Sequence, residues 1–269
     1  MLTILIRAFI AAIFAGFLCG LMGVHITRLN LNTVAFSTAH AALAGAALAM
    51  FLGMEPSTIG LILAILTALF LGPLADLFHI PFDLFSMSLF SIYTAFAFIF
   101  ISISPGGVIS AQAVSSILWG SILTVTSGYT VFLSILFFLV LIYIIAFFPQ
   151  LKSLLFDSKL AEAEGINVKA YKYSLMFLSG VTVSLILKLV GGFLVFSLLF
   201  IPAASAFLLS ENIKLILCFS AILGSFSAVG GIFLSLLLDL PTGACIVLMA
   251  TFILIISAVY AHFFGRLRK

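Results

Sequence analysis

Apolar residues dominate this 269-residue chain in runs that are long enough to cross a membrane, and short polar stretches separate the runs. A membrane-spanning helix needs about 20 consecutive, mainly apolar residues. Runs of that kind predict an all-α, polytopic helical membrane protein with eight or nine transmembrane helices. The predicted spans are residues 4–26, 34–53, 58–75, 84–103, 130–148, 173–190, 192–209, 213–237 and 242–263.

The segment 112–127 departs from this pattern, because it is shorter and richer in hydroxyl side chains than the other apolar runs. It is predicted to be a re-entrant or partly inserted helix on the outer side of the membrane. No linker or shift in composition divides the rest of the chain. Residues 1–269 are therefore predicted to form a single transmembrane domain.

Charge is scarce, and its distribution predicts the orientation of the chain in the membrane. Hydrophobic residues make up 65% of the chain and charged residues only 7%, which excludes a soluble globular protein. If the loop at 150–172 and the C-terminal tail are cytoplasmic and the segment 112–127 does not cross the membrane, nine Lys and Arg residues lie inside and two, Arg7 and Lys188, lie outside. A crossing at 112–127 would reverse the orientation of everything before it. The expected surrounding is a lipid bilayer, and nucleic acid is not an expected partner.

Motifs for catalysis within this chain are missing from the sequence. It has no phosphate-binding G-x-x-x-x-G-K-[ST] stretch, no zinc-binding H-E-x-x-H pair and no G-x-S-x-G nucleophile turn. An intramembrane protease or lipid transferase would need paired acids or His clusters at membrane depth, and none is visible. The chain is therefore predicted not to be an enzyme, although a structural or channel-like membrane protein remains an alternative. Three cysteines, in apolar runs, are predicted to be buried hydrophobic residues: Cys19, Cys218 and Cys245.

The most polar stretch is FDSKLAEAEGINVKAYKY, residues 156–173, which holds six charged side chains in eighteen residues. Asp157 is suited to cap the start of a short helix, and Gly165 is suited to the left-handed position that ends one. A helix of about two turns is predicted between them. Such a helix is either a solvated connector or a surface that a soluble partner contacts.

This stretch carries a resemblance to a known family. FDSKLAEAEGINV resembles the cytoplasmic coupling segment of the ABC-3 metal-import permeases, with matching residues at Asp157, Ala161, Gly165 and Ile166. Three further segments, at 187–209, at 239–248 and at FLCGLMGVHITRLN near the N-terminus, are similar to the family in the same order. The resemblance covers nearly the whole chain.

The resemblance implies a permease subunit, like that of a type II importer, in an ATP-driven importer of zinc, manganese or iron. It implies a homodimer in the plasma or inner membrane, with separate ABC ATPase subunits in the cytoplasm and a metal-binding protein outside. Residues 150–172 would form the coupling segment. The metal would be a transported substrate, and no cofactor would be permanently bound. The alternative is a permease for a metal chelate or a cobalamin-like cofactor.

His40 is the candidate for contact with the transported metal. It lies among alanines in the second span, imidazole is a good ligand for zinc and iron, and the family has a histidine at this place. Ser37 lies three residues earlier and is a second candidate for the pathway. Phe36 stands where family members usually carry an aspartate, so the paired ligand on this helix is absent. Softer ligands on the first span are Cys19, Met22 and His25.

Pro202 is the candidate gate, because a proline lacks a backbone donor and is expected to interrupt its helix.

The acidic residues at the ends of the spans are interpreted mainly as helix caps. Glu55 and Asp239 are expected to cap helices at the outer side, and Asp83 is expected to cap a helix or contact a partner. Asp76 has no diagnostic spacing to other ionisable residues.

Overall fold

The computed structural model describes residues 2–104 and 125–263, apart from the side chains of residues 2, 188–190 and 192–194. These residues form helices and connecting loops, with no strand in the described ranges. The helices are α1 Leu2–Arg28, α2 Asn32–Phe51, α3 Pro56–Leu77, α4 Phe82–Ile103, α5 Ser127–Ala146, α6 Phe148–Phe156, α7 Ser158–Ala163, α8 Val168–Val190, α9 Gly192–Leu209, α10 Ile213–Leu238 and α11 Thr242–Phe263.

Eight of these helices are long and apolar enough to cross a membrane, and α9 contributes a shorter apolar stretch, Val195–Leu209. The prediction of an all-α protein with eight or nine spans is confirmed. The sixth predicted span begins earlier than expected, because the helix already includes the polar turn that starts at Val168. The predicted re-entrant segment 112–127 falls outside the described residues up to residue 124, and the tail at 264–269 also lies outside them.

The chain divides into two compact units, and the prediction of a single domain stays a prediction. Residues 1–29, 121–168 and 193–269 make up the first unit, and residues 30–120 and 169–192 make up the second. The helices of the first unit are α1, α5, α6, α7, α9, α10 and α11. The second unit contains α2, α3, α4 and nearly all of α8.

In the first unit, α1 packs closely along α10, and α5 and α11 pack against this pair. A Cβ atom on Gly16 would clash with the Gly224 carbonyl oxygen, so only glycine permits this approach. One turn further along, the Ser220 hydroxyl donates to the Gly20 carbonyl oxygen at 2.6 Å. Small residues thus bring two spans together where no hydrophobic force between helices is available.

In the second unit, α2 packs between α3 and α4. Thr33 in the first turn of α2 hydrogen-bonds Asp83 in the first turn of α4, and the ring of Phe51 lies 6.0 Å from that of Phe100 near their far ends. The helices α2 and α4 therefore run parallel. Alanines occupy most of the buried face of α2, which allows both neighbours to approach it.

Two expectations about individual residues were wrong. Helix α9 runs without interruption through Pro202, because neighbouring backbone and side-chain groups in a packed membrane helix compensate for one missing donor. The break in this region is at Gly191, whose φ of 100° separates α8 from α9.

The second correction concerns the cysteines. Cys19 and Cys245 are buried as predicted, but Cys218 is exposed on the surface of α10. An exposed apolar position of a spanning helix is compatible with lipid, so the apolar run around Cys218 did not require burial.

Candidate functional site

Helix α6 is a short amphipathic helix that lies just before the polar stretch and the predicted coupling helix. Its buried side consists of Leu151, Leu154 and Leu155. The ammonium group of Lys214, at the start of α10, lies 5.5 Å from the centre of the Phe148 ring. The start of α10 and the start of α6 therefore lie at the same end of the first unit, as the predicted orientation requires.

Helix α7 starts with a side-chain cap. Asp157 has extended backbone angles, and its Oδ1 accepts hydrogen bonds from the backbone N–H groups of Lys159 at 2.7 Å and Leu160 at 3.2 Å. These donors have no partner within the helix, and a carboxylate at a helix start satisfies them and favours the helix dipole. The predicted cap at Asp157 is confirmed.

Helix α7 ends in a Schellman turn. The N–H of Gly165 donates to the carbonyl oxygen of Glu162 at 3.0 Å, and the N–H of Ile166 donates to that of Ala161 at 3.1 Å. Gly165 has a φ of 83°, a left-handed conformation that favours glycine. The predicted stop at Gly165 is confirmed. Ala161 is fully buried and Ile166 half-buried, as is usual for the apolar pair that accompanies this turn.

The four residues that carry the resemblance, namely Asp157, Ala161, Gly165 and Ile166, therefore share one structural role, because together they determine where α7 starts and how it ends. Asp157 and Gly165 are exposed on this segment, but both act there as caps and neither is a large apolar side chain. That face presents two large apolar side chains, Phe156 at 77% exposure and Leu160 at 51%. The exposed charged residues around them are Lys159, Glu162 and Glu164.

His40 lies on the side of α2 that contacts α4. Its ring is half-buried, and its Nδ1 is 3.0 Å from the Phe36 carbonyl oxygen one turn earlier. Because a carbonyl can only accept, Nδ1 carries the proton in this contact, and the Nε2 lone pair of the neutral ring is left for another partner. The ring of Phe90 meets the His40 ring edge to face, with 4.2 Å between centroids. The imidazole is therefore packed against Phe90 on one side.

Ser37 is fully buried in the same contact between α2 and α4. Its hydroxyl donates to the Val34 carbonyl oxygen at 3.1 Å and accepts a hydrogen bond from the Ser86 hydroxyl at 3.0 Å. We call the line formed by the pairs Thr33–Asp83, Ser37–Ser86 and His40–Phe90 the α2–α4 seam. Ser37 and His40 come together on this seam. Among the described residues, no group of three or more His, Cys, Asp or Glu side chains is arranged to hold a metal ion.

Pro202 belongs to the first unit, and it is buried in α9. A Cβ atom on Gly23 of α1 would clash with the Leu199 carbonyl oxygen and lie 3.3 Å from the Ala203 Cβ. Helices α1 and α9 therefore cross at very close range beside Pro202. Any movement of α9 at this proline has to be accommodated by α1.

His25 is the other intramembrane histidine on the first two spans, and it repeats the local geometry of His40. It is fully buried on α1, and its Nδ1 is 2.8 Å from the Leu21 carbonyl oxygen. Its Nε2 is buried without a hydrogen-bond partner in the described part of the chain. Cys19 and Met22, the softer ligands considered with it, are also fully buried on α1.

One polar cluster was not predicted from the sequence. Asp76, near the end of α3, contacts Lys169 and Tyr173 at the start of α8. These residues are more than ninety positions apart, and no motif links them. Only a prediction that the ends of α3 and α8 meet would have found the cluster.

Known proteins are similar to this chain over nearly its whole length. Residues 1–261 match the ABC 3 transport family. The manganese transport system membrane protein MntC of Halalkalibacterium halodurans is 32% identical over 246 residues, which cover 91% of this chain and 83% of that protein. The high-affinity zinc uptake system membrane protein ZnuB of Haemophilus influenzae is 27% identical, over 96% of this chain and 97% of that protein.

A solved structure is similar in fold. It is that of PsaBC from Streptococcus pneumoniae in complex with Fab, which superposes with a TM-score of 0.79 at 28% sequence identity. The superposition covers 94% of this chain and 90% of the compared chain. The predicted family and the predicted fold class are confirmed.

Proposed function

This chain belongs to the ABC 3 transport family and is a multi-pass membrane permease subunit of an ABC transporter, and we propose that its cargo is a divalent metal ion, namely manganese, zinc or iron. The observation that carries this proposal is the full-length similarity to permeases named for manganese and zinc transport. The metal would be a substrate that passes through the protein. No resident cofactor is part of the proposal.

ATP hydrolysis belongs, in this proposal, to separate ABC ATPase subunits that contact α7 from the cytoplasm. The support is the construction of the segment: a six-residue helix capped at both ends, with Phe156 and Leu160 exposed beside charged side chains. Large apolar side chains surrounded by polar ones are typical anchors of a protein interface. Asp157, Ala161, Gly165 and Ile166 would hold the shape of α7, and Phe156 and Leu160 would make the contact.

The translocation path would involve His40 and Ser37 on the α2–α4 seam and the close crossing of α1 and α9 at Pro202. The Nε2 atom of His40 would supply a neutral ligand for the metal. We expect the permease to act as a homodimer and to receive the ion from a metal-binding protein outside the membrane. Closure of the ATPase subunits would displace α7, and packed helices would then shift as rigid bodies to change which side is open.

The test is reconstitution of the permease with its cognate ATPase and binding protein in vesicles. Manganese, zinc and iron salts are offered together outside the vesicles, and the metal content inside is measured by elemental analysis with and without ATP. We expect ATP-dependent accumulation of at least one of these ions. A hydrolysis-deficient ATPase provides the matched control, since it assembles but cannot drive uptake.

The absence of any ATP-dependent metal uptake in a correctly assembled complex would reject the proposal. A second arm offers a chelated metal and cobalamin in place of the free ions. Phe36 is the reason to test these larger substrates, because a phenyl ring cannot ligate a free cation at the position one turn before His40. Uptake in the second arm alone would identify the chelate or cofactor permease as the correct function.

A further inference from the structure

Asp76 holds the first turn of α8 against the end of α3. Its Oδ2 accepts a hydrogen bond from the Lys169 ammonium group at 2.8 Å and another from the Tyr173 hydroxyl at 2.5 Å. All three residues lie in the second unit. We call Asp76, Lys169 and Tyr173 the α3–α8 clasp.

A glycine on α3 makes room for the clasp. A Cβ atom on Gly72 would lie 2.6 Å from both Cδ1 and Cε1 of the Tyr173 ring. The ring therefore packs directly over the backbone of α3, one turn before Asp76, and its hydroxyl reaches the carboxylate from there. The packing of the ring against Gly72 and the hydrogen bond to Asp76 are two separate observations that place Tyr173 against the end of α3.

The position of the clasp along the chain connects it to α7. The Schellman turn of α7 ends at Ile166, and α8 begins at Val168, whose N–H donates to the Ile166 carbonyl oxygen at 2.8 Å. Lys169 is the next residue. Only Asn167 separates the turn from α8, so the chain joins α7 to the first turn of α8 over a very short distance.

We propose that the α3–α8 clasp transmits movement of the coupling segment to α3, and through α3 to the helices α2 and α4 that pack with it. This inference rests on the proposed function and names the residues that would carry the coupling beyond α7. Asp76 and Tyr173 are positioning residues, since they act through the helices that they join. Lys169 and Asp76 are largely exposed, at 76% and 50% of their side chains, and such an ion pair alone contributes little to stability. The role of the clasp in this proposal is to pass the movement of α8 to α3, and its contribution to the stability of the fold is small.

The test uses the complete transporter in vesicles and measures the number of ATP molecules hydrolysed per metal ion imported. Tyr173→Phe removes the hydroxyl and keeps the ring over Gly72, and Asp76→Asn removes the charge. We expect each variant to raise the ATP-to-metal ratio several-fold while the ATPase still co-purifies. Tyr260→Phe, at a 45% exposed position of α11 outside the coupling segment, is the matched control and should leave the ratio unchanged. The charge reversal Asp76→Lys with Lys169→Asp should lower the ratio again, relative to Asp76→Lys alone.

Failures of the two proposals are distinguishable in this design. A wild-type complex that imports no metal rejects the proposed function before any variant is tested. A wild-type complex that imports metal, with an unchanged ratio in Tyr173→Phe and Asp76→Asn, overturns the clasp alone. A parallel loss of transport, ATP hydrolysis and thermal stability, without recovery in the charge reversal, also overturns it, because that outcome marks a merely structural contact.

Discussion

The proposed coupling segment around α7 and the α2–α4 seam are built in opposite ways. Helix α7 gets its shape from Asp157, Ala161, Gly165 and Ile166, which lie within ten consecutive residues. The seam joins residues about fifty positions apart, such as Ser37 with Ser86. The first is held by hydrogen bonds among its own residues, and the second exists only when two helices pack. The proposed contact surface for a partner and the candidate path for an ion thus depend on different levels of structure.

In and around α7, the residues that determine the shape of the helix differ from those proposed to contact a partner. The residues that resemble the family determine the caps, whereas Phe156 and Leu160 form the exposed face. A cap can serve any sequence on the outward side of the helix, so the proposed contact residues can vary without a change in the shape of α7. On the seam, by contrast, the residues that set the packing and the candidate ligand are immediate neighbours. A substitution there changes both at once.

The largest expected effect is on partner binding. Leu160→Asp places a charge where an apolar anchor is proposed, and removal of such an anchor weakens an interface by on the order of tenfold or more. Binding of the ATPase to the purified permease would measure this loss. Met54→Asp is the matched control, because Met54 is 52% exposed against 51% for Leu160 and lies in the loop predicted on the outer side. Equal binding by the two variants would remove α7 as the contact surface.

Next in size is the effect on the proposed path. His40→Asn removes the Nε2 ligand, and we expect metal uptake to fall by at least about tenfold, as loss of groups around a metal commonly does. ATPase binding should persist, because α7 does not depend on the seam for its caps. Uptake with labelled metal in vesicles is the measurement, and His262→Asn, at an exposed position late in α11, is the control. Normal uptake by His40→Asn would reduce this residue to a packing contact with Phe90.

A smaller effect distinguishes local shape from function. Gly165 and Gly53 have φ angles of 83° and 70°, and a Cβ on either would meet nothing within 4 Å. Alanine at either position should therefore cost about 1 kcal/mol through backbone strain alone. Both variants should unfold at similarly reduced temperatures, but only Gly165→Ala should also reduce ATP-driven uptake, by a few-fold. Equal uptake by the two variants would show that the stop at Gly165 has no part in coupling.

The smallest effect concerns a cap outside the proposed machinery. Glu55 caps α3 as Asp157 caps α7, and the hydrogen bond from the Thr58 hydroxyl lowers the pKa of Glu55 from 4.5 to about 2. Because the folded pKa is the lower one, the stabilisation is present above pH 4.5 and is lost as the pH falls through 2. We expect Glu55→Gln to flatten the pH dependence of thermal unfolding in that window without affecting uptake at neutral pH. An unchanged pH dependence would mean that the carboxylate contributes nothing as a cap.

Much of the architecture was predictable because a bilayer imposes simple requirements on length and polarity. Nine apolar runs predicted eight or nine spans, and the caps of α7 could be assigned because their rules operate within a few residues. The continuity of α9 through Pro202 was not predictable from the residue alone, since the cost of a missing donor depends on what packs around it. The exposure of Cys218 was also missed, because hydropathy does not tell which face of a spanning helix meets lipid.

The amino-acid sequence was enough to predict eight or nine apolar spans and the local shape of α7, since each depends on residues that are close together in the chain. The packing of the helices was needed to place the His40 ring against Phe90, to pair Ser37 with Ser86 and to bring Lys169 and Tyr173 to Asp76. These contacts join residues 49 to 97 positions apart. Which faces meet over that separation depends on how all the helices pack together, and the apolar periodicity of a nearly uniform membrane helix leaves that choice open.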